Sequence, residues 1–135
     1  MKKVYAAKIS EIERLVEDLE AFCGEHNIAA EILFAFNLCL DEIFTNIVDY
    51  GYKNQGGEIE IELSVGDGKM TAQISDSAPP FDPLAEVADP NLDASLEDRD
   101  VGGLGIFFVK KHMDDIAYTR ANGRNILRLA KAIPC

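Results

Sequence analysis

Positive charge is scarce in this chain: 13 Lys and Arg stand against 24 Asp and Glu, for a formal net charge of −11. So acidic a balance excludes a protein that grips nucleic acid or an anionic membrane over a broad surface, and it favours a basic partner. Long apolar runs are missing too. The most apolar region, Ile28 to Leu40, is broken by Glu31 and Asn37 and is too short to span a bilayer. The opening residues hold Lys2 and Lys3 but no sustained apolar stretch before Lys8, so a secretory signal is not expected and the cytoplasm is the expected location. Cysteine is sparse, odd in number and without metal-ligand spacing; Cys23 and Cys39 fall in apolar helical patterns, where a thiol acts as a small buried hydrophobe, and Cys135 ends the chain. No internal repeat of solenoid period is present.

What is there is an ordinary globular composition, 47% hydrophobic and 27% charged, in 135 residues that fit one domain over residues 1–135. Val4 to Ile9 is β-prone, and Ser10 followed by Glu13 forms a capping-box pattern that predicts a helix carrying Ile12, Leu15, Val16, Leu19 and Phe22 up to Gly24. A second helical pattern runs from about Ala29 to Tyr50, with Gly51 as its stop. The period then changes to alternation: Ile59, Ile61, Leu63 and Val65 point one way, and after the Asp67-Gly68 turn Met70, Ala72 and Ile74 do the same up to Asp76.

From Pro79 to Val101 the periodicity is lost among prolines and acids, as in a long functional loop. A glycine-rich turn and a short helix ending near Met113 follow, then a hairpin, Ile116 to Arg120 and Arg124 to Ile133, around Asn122 and Gly123. This order predicts an α+β fold: a two-layer α/β sandwich whose mixed, mostly antiparallel sheet is covered on one face by helices.

Three places carry polar chemistry. Glu42 and Asn46, four residues apart, share a helix face that is not the apolar one. A carboxylate beside an amide suits a hard cation and a proton to be abstracted, although by itself the pair is better explained as a solvated helix face. Asp76 ends a strand where a loop begins, a position from which a carboxylate accepts from an exocyclic amine, or simply forms a turn. Gly102, Gly103, Leu104 and Gly105 open a helix whose free N–H groups suit a phosphate; glycines also let a loop turn sharply.

In chain order, DEIFTNIVDYGYK, ISDSAPPFDP and GGLGIFFVKKHMD resemble the N, G1 and G2 boxes of the GHKL (histidine-kinase-like) ATPases, and GRNILRL resembles their closing strand. The likeness covers Phe36 to Ile133, and within the superfamily it is nearest to the anti-sigma-factor serine/threonine kinases. A sensor histidine kinase would need a phosphoacceptor helix pair, and gyrase-like or chaperone relatives a transducer domain, which this length does not accommodate.

The resemblance implies ATP and Mg²⁺ as cofactors, with an ATP lid at about residues 79–101. It implies Glu42 as the catalytic or polarising carboxylate, Asn46 as the Mg²⁺ ligand and Asp76 as the adenine-amine acceptor. Gly102, Gly103, Leu104 and Gly105 match the phosphate-binding turn, and Asn125 the polar position of the last strand that supports adenine binding. Arg99, the one cation in the acidic lid segment, is a candidate for the phosphates or the partner. Ala78 stands where the usual G1 box has glycine, and alanine resists the positive φ that glycine permits. Tyr50 stands where relatives often have His.

The implied partners are a STAS-like anti-sigma-factor antagonist phosphorylated on Ser or Thr, and a sigma factor, with a homodimer expected and neither nucleic acid nor membrane. The other reading is a non-catalytic module that sequesters a regulatory protein with weak or no nucleotide binding.

Overall fold

The computed structural model describes residues 1–80 and 109–134. Strand β1 (Lys2–Ala6) leads through a 3₁₀ turn (Ile9–Glu11) into α1 (Ile12–Glu25) and α2 (Ala30–Asn46). The hairpin of β2 (Glu58–Gly66) and β3 (Lys69–Asp76) follows, and after a short helical stretch at residues 109–112 the chain closes with β4 (Asp115–Ala121) and β5 (Arg124–Ala132). The sheet order is β1-β2-β3-β5-β4, and every described pairing is antiparallel. The α+β sandwich expected from the sequence is the fold.

Alternation builds the inner face. Ile59, Ile61 and Leu63 of β2, Met70, Ala72 and Ile74 of β3, and Leu127 and Leu129 of β5 are buried beneath Leu15, Leu19, Phe22, Ile32, Phe36, Leu40, Ile43 and Phe44 of the helices, in one continuous core. Each such side chain contributes about 1.5–3 kcal/mol by leaving water. Both hairpins turn as their sequences predict: Asp67 and Gly68 have φ of 54° and 75°, and Asn122 and Gly123 repeat these values, the left-handed pair that a two-residue turn requires. Tyr5 fastens β1 to the helical layer, its hydroxyl donating to Asp18 Oδ2 at 2.7 Å and its ring standing edge-on to Phe44.

Three local expectations are corrected. Ser10 lies inside the 3₁₀ turn and no side chain caps α1; Glu11 instead reaches back, its Oε2 accepting from the Ala6 N–H at 3.2 Å. Val65 continues the face of Ile59, Ile61 and Leu63 opposite buried Met70, yet is itself exposed. The second helix is α-helical only to Asn46, and Ile47–Gly51 form a wider π-helical turn, with the Tyr52 N–H reaching the Ile47 carbonyl at 2.8 Å.

Among the described residues the helical segments are mostly acidic, with Glu11, Glu13, Glu17, Asp18, Glu20, Glu25, Glu31, Asp41, Glu42 and Asp49 against Arg14, Lys110 and Lys111, whereas the strands mix Lys2, Lys3, Lys69, Arg120, Arg124, Arg128 and Lys131 with Glu58, Glu60, Glu62, Asp76 and Asp115. On the outer sheet face Lys2 Nζ and Arg124 Nη1 lie 2.9 and 3.2 Å from the Glu60 carboxylate. The hydrogen bond from Lys2 is the main cause that holds the Glu60 carboxyl below its usual range. Among the described residues no helix is long and apolar enough to cross a membrane.

Candidate nucleotide site

The inner face of the sheet is apolar until one end. There Tyr5, Ile59, Asp76, Asn125 and Arg120 follow one another across the five strands in register. The row changes from an aromatic and an aliphatic residue to an acid, an amide and a cation, so the core opens into a polar site where β3 ends.

Asp76 and Asn125 are both buried. Asp76 Oδ1 accepts from the Ala78 backbone N–H at 3.0 Å and from Asn125 Nδ2 at 2.9 Å. Asn125 Nδ2 also faces the carbonyls of Ala78 at 3.3 Å and Pro79 at 3.1 Å, while the Tyr118 hydroxyl donates to Asn125 Oδ1 at 2.6 Å. Arg120 Nη1 donates to the Ala78 carbonyl at 2.8 Å. The turn leaving β3 is therefore held from β4 and β5 by side chains that accept and donate in matched pairs. Ala78 does not have a positive φ, and its side chain is buried. This turn follows a path that alanine adopts without strain, so no glycine is required.

Glu42 and Asn46 lie on the half-buried side of α2, next to buried Ile43 and Phe44. Among the described residues neither side chain makes a hydrogen bond or an ion pair. Partial burial raises the Glu42 carboxyl above its ordinary value of 4.5, and the charge of neighbouring Asp41 raises it further. The π-helical turn starts directly after Asn46; such turns recur at functional sites because they displace the helix end relative to its axis.

That helix end meets the β3 turn at two points. A Cβ on Gly51 would lie 3.2 Å from the Ala78 Cβ, and the Tyr52 hydroxyl accepts from the Ser77 N–H at 2.8 Å while donating to the Glu58 carbonyl at 2.7 Å. The structure thus joins Asp76, Ala78 and Asn125 directly and ties them to the end of the helix that bears Asn46. Among the described residues no hydrogen bond joins Glu42 or Asn46 to that group. Arg99, Gly102, Gly103, Leu104 and Gly105, and all but the first two residues of the expected lid, lie outside the described residues.

Sequence reasoning passed over Tyr52, Tyr118 and Arg120 as site residues and took Gly51 only as a helix stop. For Tyr118 and Arg120 a signal existed: they continue the period-two series begun by Ile116 and so share the inner face with Asn125. For Tyr52 and Gly51 there was none, since their role depends on the unanticipated π-helical turn.

The donor set suits an adenine nucleotide. Both described bonds to Asp76 fall on Oδ1, which leaves Oδ2, an acceptor on a buried carboxylate, to meet an exocyclic amine. Among the described residues no group of three or more His, Cys, Asp or Glu could hold a metal ion.

These features define the class. The chain belongs to the histidine kinase-like ATPase domain family, whose model matches residues 5–131. Among proteins to which it is similar, the serine/threonine-protein kinase BtrW of Bordetella bronchiseptica is 29% identical over 102 residues, covering 75% of this chain and 71% of that protein. The serine-protein kinase RsbW of Listeria monocytogenes is 26% identical over 102 residues, covering 73% and 65%. RsbW of Bacillus cereus is 27% identical over 93 residues, covering 67% and 58%. The match therefore spans less than two thirds of the length of these two RsbW proteins.

Proposed function

We propose that this chain is an ATP-dependent protein serine/threonine kinase that acts as an anti-sigma factor in the cytoplasm, phosphorylating a Ser or Thr of a STAS-like antagonist and, as a homodimer, holding a sigma factor as its alternative partner. The observation that carries the reading is Asp76, buried at a strand end with one oxygen satisfied by Asn125 and Ala78 and the other left to meet an adenine amine. Membership of an ATPase-domain family and similarity to proteins named as serine kinases support it.

In this reading Asp76 selects the base and Asn125 holds the turn in place. The Gly102, Gly103, Leu104 and Gly105 backbone would receive the phosphates, and Arg99 would serve either the phosphates or the protein partner. Mg²⁺, when bound, neutralises charge on those phosphates, and Asn46 would supply one of its ligands. Glu42 takes the proton of the substrate hydroxyl as its oxygen bonds to the γ-phosphorus and the bond from that phosphorus to the bridging oxygen of ADP breaks. Its raised pKa suits the task, because a base is most effective when its pKa approaches the working pH.

Calorimetry with Mg-ATP, followed by transfer of labelled phosphate to the cognate antagonist, tests the proposal. Binding with transfer is expected, and Glu42→Ala should abolish transfer while leaving binding. Absence of any binding heat would sink the reading, and binding without transfer would leave a sequestering module.

A further inference from the structure

The amide of Asn125 can sit in only one orientation. Its Nδ2 faces three oxygens, Asp76 Oδ1, the Ala78 carbonyl and the Pro79 carbonyl, at 2.9, 3.3 and 3.1 Å, while its Oδ1 receives the Tyr118 hydroxyl at 2.6 Å. Turned over, the amide would place oxygen against three oxygens, so these set its orientation, and the Tyr118 hydroxyl then anchors the amide's other end. Tyr118 stands on β4 opposite Leu127, so its hydroxyl reaches Asn125 diagonally along β5. Asn125 in turn is the register partner of Asp76.

A chain of directed bonds therefore runs from β4 through β5 to β3, and its last link determines which carboxylate oxygen remains. With Oδ1 accepting from Asn125 and from the Ala78 N–H, the carboxylate is held in one rotation and presents Oδ2. An ionised carboxylate oxygen only accepts. It attracts a purine with an amine at position 6 and repels one with a carbonyl there, and a buried polar group left facing the wrong partner is costly.

Resting on the reading that Asp76 meets the base, we infer that Tyr118 is a positioning residue that acts through Asn125 to set the preference of this site for 6-amino over 6-oxo purine nucleotides. Tyr118 does not touch the base; it fixes the amide that fixes the carboxylate. Arg120, donating to the Ala78 carbonyl, holds the same turn without bonding to Asp76, and so contributes to its stability but not to its selectivity.

The test compares Mg-ATP with Mg-ITP, which differ only at position 6, by calorimetry on the full chain and on Tyr118→Phe, Asn125→Asp and Arg120→Gln. Thermal melts and circular dichroism report folding in parallel. Wild type should prefer ATP. Tyr118→Phe, which keeps the packed ring, should lower the ATP-to-ITP affinity ratio about tenfold, the equivalent of one hydrogen bond to a buried acceptor, chiefly through weaker ATP binding. Asn125→Asp should lower it further, since it sets a second carboxylate against Asp76.

Arg120→Gln should weaken both nucleotides alike. An unchanged ratio in Tyr118→Phe, or equal loss for both nucleotides, overturns the inference while the ATP-binding reading stands. A wild type that binds neither nucleotide, or binds both equally, overturns that reading and the inference with it.

Discussion

Gly51 and Ala78 lie back to back: a Cβ on Gly51 would come within 3.2 Å of the Ala78 Cβ and 3.6 Å of Ile47 Cγ2. Both atoms of the closer pair are fixed to backbone, so neither can swing aside. Gly51→Ala should therefore destabilise by about 1–3 kcal/mol through overpacking, measured as a shift in the urea midpoint at constant m-value. In an Ala78→Gly background the same change should cost less, and a double-mutant cycle reads the difference as coupling.

Ala78→Gly alone gives the sharper contrast. Were alanine strained here, glycine would stabilise the protein; but the Ala78 φ is not positive. The variant should instead lose about 0.4–1 kcal/mol from the freer unfolded chain, with the loss of a buried methyl added to it. A rise in stability would show that the turn is strained.

Tyr52→Phe removes a hydroxyl that donates to the Glu58 carbonyl and accepts from the Ser77 N–H. Both partners lie near solvent, so water replaces part of each bond and the cost should be about 0.5–1.5 kcal/mol. Because one of the two bonds holds the residue after Asp76, ATP should also bind more weakly, and amide exchange at Ser77 should accelerate.

Glu42→Gln separates stability from activity. The folded-state pKa of Glu42 lies above its ordinary value of 4.5, so ionised Glu42 costs the native state stability at neutral pH, and that cost disappears as pH falls through the raised value towards 4.5. The variant should melt higher than wild type at neutral pH and no higher below pH 4.5. Phosphoryl transfer should fall about 10²–10⁴-fold with Mg-ATP still bound. Melting curves across pH and single-turnover assays check the two halves.

Cys23 and Cys39 are buried, free thiols, and burial raises both, Cys39 to about 11. At pH 8 only about one Cys39 thiol in a thousand would be ionised. In the native protein both should resist alkylation by iodoacetamide over an hour and react promptly in guanidinium, as read by peptide mass spectrometry.

Most of the fold was legible because its signals are local. Ile59, Ile61 and Leu63 alternate, Asp67-Gly68 and Asn122-Gly123 can hardly do other than turn, and the helical layer follows from Leu15, Leu19, Phe36, Leu40 and Ile43. Ser10 misled because a capping box competes with a 3₁₀ turn of nearly equal geometry. The π-helical turn could not be read, since it ends the helix and no later helical turn follows in which a shift of the apolar period could show.

At the site, Asp76 was singled out from its place at a strand end and Asn125 from the resemblance, but the bond between them was not foreseen. Tyr118 and Arg120 were visible only as the third and fifth residues of a strand whose face nothing yet had specified. Their importance lies in pairing across strands, which is a property of register and not of sequence neighbourhood.

The concentration of acids on the described helices has a consequence at a distance. A basic partner that approaches the helical side is attracted before it makes a contact, and that pull would fade once added salt shortened the screening length to a few ångströms.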